Sequence, residues 1–256
     1  MKLKNMLNRI GVTFIVTIVA SSNTFPQDAN VLLREVDDNL MPESYEAYRK
    51  LINEEPDGSK KEFTFYTVKK GKDKIAMLYL LPASEKGRAT LRVGENMWLY
   101  VPSVNKPIRI TSLQSVVGGV FNNADIMQLE YSTEYDATYS EGTDKEYLLD
   151  LKAKNKTVAY DKLKMWITKD KKILRKVEAY SASGMLIKTL EFKEDKNFGR
   201  QLDSSSGGLM RPSVIETYSP LYKGYRSLMI YQTIKKRQFP DEVFTLNYMG
   251  RLGDLR

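Results

Sequence analysis

The sequence predicts a mainly β, α+β fold: one antiparallel sheet curled into a barrel or an open half-barrel, with short helices laid across its mouth. Apolar runs of strand length recur about every 10–14 residues, parted by turn formers, which is the rhythm of strands joined by hairpins. One amphipathic stretch precedes them, and a glycine-containing pause interrupts them. No shift in composition marks a domain boundary within the 256 residues. About ten or more strands therefore belong to one sheet, too many to stay flat.

Residues 1–22 read as a secretory leader: Lys2, Lys4 and Arg9, an apolar run from Ile10 to Ala20, then the small residues Ser21 and Ser22. That eleven-residue run is shorter than the ~20 residues a membrane span requires. Residues 23–256 are then a single domain, expected to be periplasmic and soluble after cleavage. Loss of the three leader charges lowers the net charge from +8 to +5. The remainder is spread thinly rather than gathered on a stripe, which argues against nucleic acid as a partner.

From Asp28 to Leu40, the residues Val31, Leu32, Val36 and Leu40 recur at roughly helical spacing and predict a short helix ending before Pro42. Glu43 to Asn53 either extends that helix or opens the sheet. Beyond the Pro56-Asp57-Gly58 turn, strands are expected around 63–68, 75–81, 88–93, 97–101 and 108–111. At Val117-Gly118-Gly119-Val120-Phe121 the chain pauses in a loop, and Asn123 is placed to cap a short helix over 125–129. Strands resume at 147–151, 157–168, 173–181, 185–192, 214–218, 225–235 and 243–247, with a low-complexity loop at 203–212. The acidic, tyrosine-rich stretch 131–146 matches no calcium loop and reads as a solvated hairpin.

The chain contains neither cysteine nor histidine. That removes disulfides, thiolate catalysis, a lipid-modified N-terminal cysteine, the usual general base and the commonest metal ligand. No Gly-x-Ser-x-Gly elbow and no phosphate-cradling glycine loop is present. Asp37 and Asp38, adjacent on a helix, face different directions. No catalytic residue, metal or cofactor is expected.

One strand breaks the pattern. In "GENMWLYVP", residues 94–102, apolar side chains occupy both faces, where a half-buried strand alternates. Periodicity alone favours ordinary core for Met97 to Tyr100 over a ligand-lining role. Around it, Pro82, Lys86, Gly87, Gly94, Met97, Trp98, Leu99, Tyr100, Pro102 and Arg109 resemble the outer-membrane lipoprotein-sorting protein family, a branch of the LolA/LolB-like periplasmic lipoprotein-carrier superfamily. The resemblance continues through Gly118, Phe121 and Asp125 to Pro240, Asp241, Val243, Phe244 and Thr245, a typical final strand of the family. Val120 stands where the family often has an acidic residue. No residue is matched to the arginine with which the superfamily's carriers latch their lid.

The resemblance implies an unclosed antiparallel β-barrel whose short helices cover a hydrophobic cavity that accepts acyl chains. It implies a carrier or chaperone for lipoproteins or other lipids moving toward the outer membrane, with an inner-membrane transporter and an outer-membrane acceptor as partners. The alternative is an accessory interaction module of a membrane lipid transporter that carries no cargo. A carrier answers a physical need, since each acyl CH₂ exposed to water costs about 0.8 kcal/mol. By the period-two rule, Phe63, Phe65, Leu91, Val93, Ile108, Ile110, Leu163, Met165 and Ile167 are assigned to the concave, cavity-lining side. Alternation does not choose a face for 97–101, so Met97, Trp98, Leu99 and Tyr100 are all candidates. The expected covers are the N-terminal helix, through Val31, Leu32, Val36 and Leu40, and the loop bearing Gly118, Gly119, Phe121, Ile126 and Met127. Glycines there reorient at little cost.

Overall fold

The computed structural model describes residues 28–199 and 208–256. The leader expected over 1–22 lies outside them, as does the first half of the loop expected over 203–212, whose last three residues belong to a strand. First comes α1 (Ala29–Leu40), capped by the Asp28 carboxylate, which accepts from the Asn30 amide at 2.8 Å. Residues 44–53 open the sheet instead of prolonging that helix, with Glu43 in the bend before them. They belong to β1 (Ser44–Glu54), followed by β2 (Lys60–Lys70), β3 (Lys74–Leu81), β4 (Ala89–Val93), β5 (Asn96–Val101) and β6 (Lys106–Ile110). A connecting segment carries α2 (Asn123–Ile126) and α3 (Tyr131–Glu134). Then come β7 (Tyr135–Ser140), β8 (Glu146–Ala153), β9 (Lys162–Thr168), β10 (Leu174–Tyr180), β11 (Leu186–Asn197), β12 (Met210–Tyr218) and β13 (Arg226–Lys236).

All thirteen strands form one sheet in the order β6-β5-β4-β3-β2-β1-β13-β12-β11-β10-β9-β8-β7, with every neighbouring pair antiparallel. It is an open half-barrel, since β6 and β7 end the sheet without pairing each other. Those two strands are consecutive in sequence yet stand at opposite edges. The segment 111–134 must therefore cross the open mouth, and this topology alone puts a cover there.

Two cores result, one on each face. On the inner face, Leu32, Leu33 and Val36 of α1 and Phe121, Ile126 and Met127 of the crossing segment are buried together with Tyr45, Phe65, Met77 and Met165 of the sheet. On the outer face of β2 to β5, Tyr66, Val68, Ala76 and Leu91 are buried beneath Phe239, Val243, Phe244, Tyr248, Met249 and Leu252. This C-terminal arm was expected as a strand over 243–247 and is instead two 3₁₀ helices, Asp241–Phe244 and Leu246–Leu255. Phe244, Tyr248 and Leu252 recur every fourth residue, a helical stripe that overrides the short β-like run Val243-Phe244-Thr245.

The arm also accounts for the strand that is apolar on both faces. In β5, Met97 and Leu99 share the inner face with Met77, through the pairings Leu99↔Thr90 and Thr90↔Met77. Trp98 and Tyr100 point the other way, against the arm. The strand is oily on both sides because both sides are covered.

Two local expectations change. The cap of α2 is Asn122, not Asn123: its side chain accepts from the Asp125 amide and the Asp125 carboxylate accepts from the Asn122 amide, each at 3.0 Å. The stretch 131–146 is not wholly solvated, because Tyr131, Tyr135 and Ala137 of α3 and β7 are buried in the inner core. Among the described residues, no helix is long and apolar enough to cross a membrane.

Candidate functional site

The inner core is not completely filled. A cavity of about 60 Å³ lies between the sheet and its covers. Its floor is Tyr45 and Arg49 of β1, Leu190 and Phe192 of β11, Arg211 and Ile215 of β12, and Met229 and Tyr231 of β13. Its roof is Asp37, Leu40 and Met41 at the end of α1 and Phe121, Asp125 and Gln128 to Tyr131 of the crossing segment. Sites that hold organic ligands usually enclose roughly 300–1,000 Å³. In this state the cavity is closed.

What closes it is polar. Arg49 donates to the Ile126 carbonyl at 2.8 Å and to Thr67 Oγ1 at 3.0 Å. Arg92 of β4 donates to the Met127 carbonyl at 3.1 Å and pairs with Glu134. Asn53 of β1 reaches the Val117 carbonyl at 3.0 Å. Arg211 donates to the carbonyl of Leu40, the last residue of α1. Each covering segment is thus held by inward-pointing side chains that bind its main chain.

The firmest tie is a buried ion pair. Lys188 of β11 meets Asp125 at 2.8 Å and also donates to the Val120 carbonyl. Asp125 further accepts from the Tyr160 hydroxyl at 2.8 Å and from the Asn122 amide. The lack of an acidic residue at position 120 costs the loop no polar role, since the Val120 amide donates to Ser227 Oγ at 3.0 Å. Gly119, with φ +72°, lies so close to Asn53 and Ser227 that a Cβ would collide with both side chains. This glycine is used for close approach as well as for its backbone angle.

Asp37 joins the two covers. Its buried carboxylate accepts from the Tyr131 amide at 2.8 Å and the Ser132 amide at 2.9 Å. Burial pushes it up to about 6, against the opposing pull of those amides. The folded chain therefore holds this proton more tightly than the unfolded chain. The ionised carboxyl opposes folding above pH 6, and that cost disappears as pH falls from about 6 to 4. Relief of the buried charge is worth about 3 kcal/mol, less about 1 kcal/mol for the amide that an asparagine cannot accept. Asp37→Asn is expected to stabilise the protein by about 2 kcal/mol at pH 7.5 and to lose the acid-side gain of the parent. Urea unfolding at pH 4.5 and 7.5 checks this; equal pH responses in the two proteins contradict it.

Of the residues singled out from the sequence, Leu40 and Phe121 line the cavity directly. Phe63, Phe65, Met97, Leu163, Met165 and Ile167 pack in the inner core around it, with Ile110 partly buried against them. Leu32, Val36, Ile126 and Met127 are buried on the covers, and Val31 is half-buried. Leu91 and Val93 are on the opposite face from the one assigned to them, under the C-terminal arm with Trp98 and Tyr100. Alternation groups residues by face without saying which face is the cavity. In β4 the polar members, Thr90 and Arg92, turn inward because Arg92 is needed at the cover. Ile108, on the edge strand, is 47% exposed.

The cations Arg49, Lys69, Arg92, Lys188 and Arg211, all buried, belong to no motif that the sequence offers. A signal existed: in Ala47-x-Arg49-x-Leu51 and Lys188-x-Leu190-x-Phe192 a cation sits in phase with buried apolar residues.

Fold and site together define a class, the LolA-like fold: an unclosed antiparallel barrel with covered mouth and inner cavity. A LolA superfamily protein from Nitrosomonas europaea is 28% identical, with a TM-score of 0.77 over 87% of this chain and 99% of that one. A DUF1329 family protein from Desulfovibrio piger (20% identity, TM-score 0.73) shares the fold over 86% of this chain and 97% of its own. An outer membrane lipoprotein-sorting protein domain from Vibrio parahaemolyticus (18% identity, TM-score 0.71) does so over 87% and 98%. The resemblance to lipoprotein-sorting proteins read from the sequence is borne out. The chain belongs to the family whose model, described as "Uncharacterized protein", matches residues 71–251. No curated protein matches it by sequence.

Proposed function

We propose that this protein is a periplasmic carrier, exported by its leader, that takes acyl chains of lipoproteins or other lipids from an inner-membrane transporter toward an outer-membrane acceptor. The observation that carries the reading is a closed cavity whose covers are held by exchangeable hydrogen bonds over an apolar inner core. At about 60 Å³ it admits no acyl chain, so loading requires the covers to lift. While empty, the covers keep the inner face from presenting a sticky patch. A ligand opens them only by binding the open state better than the closed one.

A crosslink tests this. Asn30 of α1 already touches β7, its side chain accepting from the Ala137 amide at 2.9 Å. The chain has no native cysteine, so Asn30→Cys with Ala137→Cys gives a single reversible tether. The oxidised form is expected to extract no radiolabelled phospholipid or acylated peptide from vesicles, and the reduced form to extract it. Equal loading by both forms removes α1 from the role of cover. If neither form loads lipid and the purified protein carries none, the barrel is a scaffold and the interaction-module reading takes its place.

A further inference from the structure

Two of the buried cations lack a counter-charge. Arg49 and Arg211 are each 2% exposed, and they flank one ring: their guanidinium carbons lie 5.7 and 4.1 Å from the centroid of Tyr231. Among the described residues neither forms an ion pair. Arg49 donates to Thr67, the Ile126 carbonyl and the Met77 sulfur, and Arg211 to the Pro212 and Leu40 carbonyls. The three carboxylates of the cavity are engaged elsewhere: Asp37 with the Tyr131 and Ser132 amides, Asp125 with Lys188, and Glu130 with Lys69.

Two like charges out of water and facing one cavity are costly unless something compensates them. Guanidinium stays charged, so deprotonation is no escape. The field they create is visible at Tyr231: burial alone raises its hydroxyl, but the charges of Arg49 and Arg211 outweigh burial and bring it below its ordinary value. This end of the cavity favours negative charge.

We infer that Arg49, Arg211 and Tyr231 form a headgroup site, which selects an acyl ligand bearing one compact anionic group, a carboxylate or a phosphate. The inference rests on the carrier reading and narrows its cargo. An N-acylated lipoprotein terminus offers the site only amides and esters, whereas a fatty acid or an acidic glycerolipid offers an anion.

The geometry also joins recognition to opening. Ile126 and Leu40 are the last residues of α2 and α1, so each arginine now holds the carbonyl end of one cover. An anion adds charge–charge attraction to the hydrogen bond, which a neutral carbonyl does not, and a guanidinium fork matches a carboxylate or phosphate with two parallel bonds. An arriving headgroup takes over both arginines and releases both covers at once. The closed state is the protein satisfying its headgroup site with its own helix ends.

Calorimetry on the mature protein with oleate, oleoyl lysophosphatidate and neutral monooleoylglycerol tests the site. At least one anionic ligand is expected to bind about 10-fold or more tightly than monooleoylglycerol. A preference for oleate identifies a fatty-acid site, and a preference for lysophosphatidate a phospholipid site. Arg49→Met and Arg211→Met should erase that preference by weakening the anionic ligand, while monooleoylglycerol, which needs neither guanidinium and meets looser covers, binds no less tightly than to the parent. The comparison on the parent protein needs no variant, so a variant that fails to fold does not protect the inference. Equal affinity for all three ligands overturns the headgroup site and leaves the carrier standing. Binding of none of them overturns the carrier reading and the site with it.

Discussion

Lys188→Met is expected to destabilise the protein by about 3–5 kcal/mol, because it leaves the buried Asp125 carboxylate without its cation. Against a typical total of roughly 5–15 kcal/mol, that is a large share. Asp125 keeps the Tyr160 hydroxyl and the Asn122 amide, but these are neutral donors to a carboxylate whose side chain is 4% exposed. Adding Asp125→Asn removes the orphaned charge, so the double variant should regain at least about 1–2 kcal/mol over the single one. Chemical unfolding of the four members of the cycle measures this coupling. If single and double variants are equally unstable, the lysine acts through the Val120 carbonyl and not through the pair.

A charge at Leu91 should be as damaging for a different reason. The side chain is 1% exposed and sealed under the C-terminal arm. Leu91→Asp puts an unpaired carboxylate among Val68, Ala76 and Val243, at an expected cost above about 4 kcal/mol. The same change at Ile108, 47% exposed, should stay within about 0.5 kcal/mol. Thermal unfolding reads the difference, and limited proteolysis should show the arm freed first. A Leu91→Asp protein that melts like its parent places this residue outside any core.

Much of the architecture is legible because its signals are local. Strand after strand is announced by alternation and by turn formers such as Pro56-Asp57-Gly58, and α1 by its apolar spacing. What is not legible depends on partners distant in the chain. Leu91 and Val93 are grouped correctly with each other, yet their side of the sheet is set by an arm that begins near Phe239. Strand 97–101 holds the only local hint of that arm, its doubled apolar faces. The latching cations are hidden by the ordinary expectation that charge faces water, although Arg49 and Lys188 occupy inward positions of their strands. Asp125 was visible as part of a family pattern, while its partner on β11 could be supplied only by the fold.

The meeting of β1 with β13 at the middle of the sheet also governs how the molecule can be assembled. Tyr45 pairs with Lys236 and Asn53 with Ser227, so the central seam joins strands from opposite ends of the domain. Hairpins β1 to β6 can zip up from local contacts alone, and so can β7 to β13. Neither half has its central neighbour until the other exists, and closing so long a loop is the slow, entropically expensive kind of step. A chain that threads through a narrow exit from its N-terminus therefore emerges with its seam open. The last strand to appear is the keystone.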